Sequence, residues 1–198
     1  MVNGICDLVV LSLVLLGRTR GVGPINTNDT FDTLFRQYEE PICSYLARLT
    51  GDLARAQELT QETFLRAYRA LIKGERWDNP RAWLYRVASR LATDDYRRRK
   101  LLQWLPLRAA DGSRDGSRRI EAATAERLAV QAALNQLPPK YRVPLVLYVY
   151  EGRTVAEVAE TLGLSISAVK MRLSRAREMF RRAYREQETS NERVQSCA

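Results

Sequence analysis

Histidine is absent from all 198 residues. That removes imidazole metal ligands, histidine general bases and histidine-containing triads. Cysteine is scarce: Cys6, Cys43 and Cys197 are odd in number, far apart and without CxxC spacing. Neither a disulfide framework nor a thiolate zinc site fits, and a reducing, cytoplasmic setting is expected. A phosphate-binding glycine loop and a cluster of paired carboxylates are missing too. These absences argue against an enzyme, so no cofactor, metal or small-molecule substrate is expected. Membrane-length apolar runs are also lacking. Ile5 to Leu16 is apolar except for Asp7 and Ser12, and it is too short to span a bilayer. Arg18 and Arg20 follow this run, whereas the basic residues of a signal peptide precede it. Residues 1–28 therefore read as an accessory, poorly ordered extension, with a membrane-associated segment as the competing reading.

What the chain has is basic charge. Lys and Arg number 32 against 23 Asp and Glu, for a net charge of +9. Such an excess favours a polyanion, either nucleic acid or an anionic membrane. The charge is uneven. Asp29 to Glu62 holds seven acids and three bases, while Ser165 to Arg185 holds seven bases and one acid. An acidic front and a basic back suggest two different partners.

Strand-like alternation is nearly absent, and Val143 to Tyr150 is the one β-rich run. Apolar residues instead recur at threes and fours. Phe31, Leu34, Phe35, Tyr38, Ile42 and Tyr45 form one stripe, within which Pro41 should kink or split the helix. A second helix is expected from about Leu53 to Leu71, and a third from Pro80 or Arg81 into Arg97–Lys100. Pro106 and the run Asp111 to Ser117 then read as a linker. The expected architecture is all-α: two small helical domains over 29–100 and 120–185, joined by a flexible linker at 101–119. The polar tail, 186–198, should be frayed.

Two local patterns point to nucleic acid. Thr154 to Leu162 is a short helix, Gly163 supplies a sharp turn, and Ser165 caps a second helix. Ala159, Gly163 and Val169 sit at helix-turn-helix spacing. The outer face of the second helix carries Lys170, Met171, Ser174, Arg175 and Arg177. Such a helix can enter the major groove and offer arginine forks to guanine. The plainer reading is a helical hairpin with a solvated basic face. The second pattern runs from Trp83 to Lys100, with Arg86, Ser89, Arg90 and Arg97 outward and Trp77 and Tyr85 nearby. Bases beside aromatics suit single-stranded nucleic acid. An ordinary amphipathic helix with Trp83 in the core is the alternative.

The order of segments adds to this. Glu58-Leu-Thr-Gln-Glu-Thr-Phe-Leu-Arg-Ala-Tyr68 comes first, then Ala82-Trp-Leu-Tyr-Arg-Val-Ala88, then Arg97-Arg-Arg. Leu137-Pro-Pro-Lys-Tyr-Arg142 and Ala168-Val-Lys-Met-Arg-Leu-Ser-Arg-Ala-Arg177 follow. From Phe31 to Arg185 this resembles the extracytoplasmic-function (ECF) sigma factors of bacterial RNA polymerase. The resemblance implies a region 2 bundle and a region 4 helix-turn-helix. It implies that Glu58, Gln61, Glu62 and Phe64 dock on the clamp helices of core polymerase. It places Arg76, Trp77, Asn79, Arg86, Ser89, Arg90 and Arg97 at the minus-10 element, and Ser167, Lys170, Met171, Arg172, Ser174, Arg175 and Arg177 at the minus-35 element. Region 4 would also contact the polymerase flap, and an anti-sigma factor is an expected partner. Ser167-Ala168 and Met171 depart from the family pattern, so upstream specificity should differ. A stand-alone helix-turn-helix regulator is the alternative function. The acidic Glu58 to Glu62 helix and the Trp83 helix argue against it.

Overall fold

The structure, a computed structural model, describes residues 27–104 and 125–196. The apolar segment Ile5–Leu16, residues 105–119 of the linker, residues 120–124, Cys6 and Cys197 lie outside them.

Among the described residues there are seven helices and no strand. The first three, α1 (Thr27–Thr50), α2 (Leu53–Ile72) and α3 (Pro80–Trp104), form one bundle. Asp52 caps α2 by accepting from the Arg55 N–H at 3.1 Å. At the bundle's centre Phe64 packs between Phe31 and Phe35, with ring centroids 6.3 and 5.0 Å away. Buried Asp95 binds Arg55 and lies 2.8 Å from Arg99, tying α2 to α3. Pro41 does not split α1, which continues through it. Ile42, Tyr45 and Leu46 in the next turn are fully buried, and that packing outweighs the one missing hydrogen bond.

The second half holds α4 (Ala125–Gln136), α5 (Pro139–Val149), α6 (Val155–Leu162) and α7 (Ile166–Ser196). The β-rich run falls in α5. Val143, Leu145, Val146 and Leu147 are all buried, so the helix is apolar nearly all round and shows no clean period. Two boundaries move. Helix α3 runs on to Trp104 and α7 to Ser196, so the first stretch of the linker and the expected frayed tail have helical backbone.

The halves share one hydrophobic core. Helix α1 packs on α4 and α5, and α3 packs on α6. Arg142 pins the junction. Buried in α5, it donates to the carbonyls of Leu49 at the end of α1 and of Asn135 and Leu137 below α4. Desolvation pushes its pKa down to about 10, so it stays charged near neutrality. Gly51 lets α1 approach Asn135. Its φ is +72°, and a Cβ there would sit 2.6 Å from the Asn135 amide nitrogen.

Candidate nucleic-acid interface

The helix-turn-helix forms as its residue chemistry dictates. Thr154 accepts from the Glu157 N–H at 3.2 Å, and Glu157 accepts from the Thr154 N–H at 2.8 Å, a reciprocal cap that opens α6. The Thr154 N–H and then its hydroxyl, both donating to the carboxylate, hold Glu157 below the usual carboxylate range. Gly163, at φ +65°, ends the helix. Ser165 then caps α7 by accepting from the Ala168 N–H at 3.2 Å. Val158, Ala159, Val169 and Leu173 lock the pair together in the core.

From α7, Ser167, Lys170, Met171, Ser174, Arg175 and Arg177 stand on the exposed surface. Met171 is half exposed, an apolar group among cations. Arg177 lies 5.3 Å from the Tyr148 ring centroid. The nearby Arg175 and Lys140 hold the Tyr141 phenol below its ordinary range. Arg172 stands apart from these exposed residues. It is half-buried and lines a cavity between the two halves.

On α3 and the preceding loop, Arg76, Arg90 and Arg97 are exposed. Arg76 donates to the Glu75 carbonyl at 3.0 Å, and Arg97 pairs with Asp94 at 3.5 Å. Ser89 is not on that face. It is buried, within 2.7 Å of the Tyr45 hydroxyl, and donates to the Tyr85 carbonyl at 2.6 Å. A serine at that register can be spent entirely within the core, and sequence periodicity does not see this. Trp77 is half-buried and stacks on Trp83 at 4.3 Å, closing the loop onto the helix. Asn79 is exposed, and its carbonyl oxygen caps α3 by accepting from the Ala82 N–H at 3.0 Å. Pro80 fills the first helical position, where no N–H is needed.

On α2, Glu58 and Gln61 are exposed, and Glu62 pairs with Arg66 at 2.8 Å. Phe64 is fully buried in the aromatic cluster. It can shape a docking surface only through the bundle, because no part of its ring reaches solvent.

The α3 face meets the helix-turn-helix at the end of α6. Arg86 donates through Nε to the Thr161 carbonyl at 2.9 Å and through Nη2 to the Glu160 carbonyl at 2.7 Å, at the C-terminus of α6. A guanidinium suits that carbonyl-rich, negative end. Tyr85 donates to Glu151, and Arg48 lies over the Tyr150 ring at 4.4 Å. Sequence reasoning missed Asp95, Arg142 and Glu151. The available signal was a charge set inside an apolar helical pattern: Asp95 beside Leu91 and Ala92, and Arg142 beside Val143. Among the described residues no helix is long and apolar enough to cross a membrane.

Two family models match this architecture. Sigma-70 region 2 matches residues 34–101, and Sigma-70 region 4 matches residues 127–180. The ECF RNA polymerase sigma factor SigL of Mycobacterium tuberculosis (strain ATCC 25618 / H37Rv) is 32% identical over 142 residues, 71% of this chain and 80% of SigL. The chain belongs to the ECF RNA polymerase sigma factors. The ECF RNA polymerase sigma factor SigE of Mycolicibacterium smegmatis (strain ATCC 700084 / mc(2)155) is 31% identical over 159 residues, and the match spans 60% of SigE and 77% of this sigma factor. In fold it is similar to the sigma factor RpoE of Bartonella quintana, solved in complex with the anti-sigma factor NepR. That likeness has a TM-score of 0.61 at 19% identity, over 79% of this chain and 97% of that one.

Proposed function

We propose that this sigma factor binds core RNA polymerase, reads both promoter elements and helps open the start site. Glu58, Gln61 and Glu62 form the docking surface on the clamp helices. Arg76, Asn79, Arg90 and Arg97 take the minus-10 element, joined by Arg86 once it leaves α6. Ser167, Lys170, Met171, Ser174, Arg175 and Arg177 take the minus-35 element. The observation that carries the reading is the capped helix-turn-helix, whose second helix presents clustered basic and polar groups to solvent. The chain acts by binding and not by catalysis. Its setting is the cytoplasm, where polymerase is, and an anti-sigma factor is its natural antagonist. The stand-alone regulator loses ground to family membership and to an acidic α2 that such a regulator does not need.

Because Arg86 serves α6 in the free chain, promoter binding requires the halves to part, and core polymerase supplies that separation. Run-off transcription with purified core on a promoter library tests this. Specific transcripts should need both chain and core. Tight, sequence-specific duplex binding by the chain alone would overturn it.

A further inference from the structure

A cavity of about 630 Å³ lies where the two halves meet. Arg86, Arg90 and Arg97 enter it from α3, Lys140 from α5 and Arg172 from α7. One carboxylate, Asp94, lines it, and that group already pairs with Arg97. Among the described residues Arg90, Lys140 and Arg172 have no carboxylate partner. Closing the halves therefore gathers like charge along one open cleft, and a bound anion would relieve the repulsion. The walls are not only charged. The Tyr96 ring and the side chains of Leu162 and Leu164 offer flat and apolar surface.

Size decides the class of ligand. The volume lies within the range of small-molecule sites, about 300–1,000 Å³. A partner helix, about 10–12 Å across with its side chains, would fill it in roughly one turn. Multiple cations beside a ring and an apolar wall fit a compact polyanion that carries a planar group.

We propose that this cleft binds a polyphosphate, with a nucleoside polyphosphate as the fullest match. The phosphates lie between Arg90 on α3 and Lys140 and Arg172 on the second half, and a base lies toward Tyr96. The site exists only where the halves meet, so the ligand holds them together. At a hundred times its dissociation constant it multiplies the closed-to-open ratio about a hundredfold. It acts as an effector that withholds Arg86 and Arg90 from DNA.

The test is isothermal titration of the full-length chain with ATP, with inorganic triphosphate and with an octaglutamate peptide. Saturable binding of ATP or triphosphate is expected, weakened tenfold or more by Lys140→Ala with Arg172→Ala and unchanged by Arg69→Ala on the exposed surface of α2. Circular dichroism checks that the double variant folds, and Arg90→Gln is the substitute if it does not. ATP binding tighter than triphosphate assigns the site to a nucleotide. Equal affinities assign it to inorganic polyphosphate. The proposal is overturned if neither binds, if Arg69→Ala weakens binding as much as the double variant, or if only the acidic peptide binds. Ligand-free run-off transcription tests the promoter reading separately, so either conclusion can fail alone.

Discussion

Asn79 has two candidate roles, and substitution separates them. Its carboxamide oxygen caps α3 at 3.0 Å, while its amide reaches toward Glu160 at 3.4 Å on the surface. The second contact is long and exposed, so it contributes little. Loss of the cap should cost about 1 kcal/mol, within the roughly 0.5–2 kcal/mol seen for such caps. Against a typical domain stability of about 5–15 kcal/mol, Asn79→Ala still folds. Asn79→Ser keeps an oxygen for the Ala82 N–H and removes the amide, so its stability should match the parent within a few tenths of a kcal/mol.

Promoter opening gives the other readout. If the amide bonds an unstacked base, losing it costs about 1–1.5 kcal/mol, or roughly tenfold in opening rate. Both variants should then open duplex promoters about tenfold more slowly, and a pre-melted bubble should restore both. Urea denaturation measures the first quantity, and permanganate footprinting over time measures the second. A serine variant that opens promoters at the parent rate, beside a slow alanine variant, would show that Asn79 is only a helix cap. Failure of the bubble to rescue would remove this loop from base capture.

Other expectations follow from the same geometry. Gln61→Lys with Glu62→Lys should weaken association with core polymerase, measured by size-exclusion or fluorescence binding, while thermal stability changes little. Parent-like binding would move the docking surface elsewhere. Arg175→Ala should cost about 1–3 kcal/mol and relax preference at one upstream position if it forks onto a base, whereas a phosphate contact would lower affinity for all sequences. Binding measured across a promoter library at two salt concentrations distinguishes them. Burial pushes the hydroxyls of Tyr45 and Tyr85 well above their ordinary value. The folded state then keeps protons that the unfolded state loses, so stability is full below about pH 10 and falls above it. Each group accounts for about 1.4 kcal/mol between pH 9 and 11. Tyr45→Phe should flatten that slope by about half in urea titrations, and an unchanged slope would refute the assignment.

The helix-turn-helix was legible because every part of it is local. A cap, a left-handed glycine and a buried valine lie within sixteen residues, from Thr154 to Val169. The α3 face was only half legible. Periodicity puts Ser89 beside Arg86 and Arg90, but the Tyr45 hydroxyl that claims it comes from α1. Phe64 was legible as a core residue from its period, and the structure buries it. It shares a short motif with Glu58 and Gln61, and one helical segment carries both core and docking residues. The contact between the halves was not legible at all. Arg86 meets Glu160 across 74 positions and Arg142 meets Leu49 across 93, and no local pattern encodes such pairs.

That contact also explains why the basic surface of this chain is not simply a DNA-binding surface. Arg86 makes two charge-assisted bonds to α6, and Tyr85 makes a third to Glu151. Charged hydrogen bonds contribute about 1.5–3 kcal/mol each when measured singly, and less when they share one side chain. These bonds alone contribute about 3–4 kcal/mol to closure, beyond the Arg142–Leu49 bond and the shared core, so at most roughly one chain in a few hundred is open. The apparent affinity of the minus-10 face then falls by at least that factor. A partner that binds the halves apart removes the penalty without adding a single DNA contact. Glu151→Ala tests the arithmetic, since Glu151 has no place in either DNA surface. Losing the Tyr85–Glu151 bond should raise the affinity of the free chain for single-stranded minus-10 DNA about tenfold, read by fluorescence anisotropy. An affinity that does not move would mean that Tyr85 and Glu151 do not hold the halves together, and that Arg86 and the shared core at Arg142 suffice.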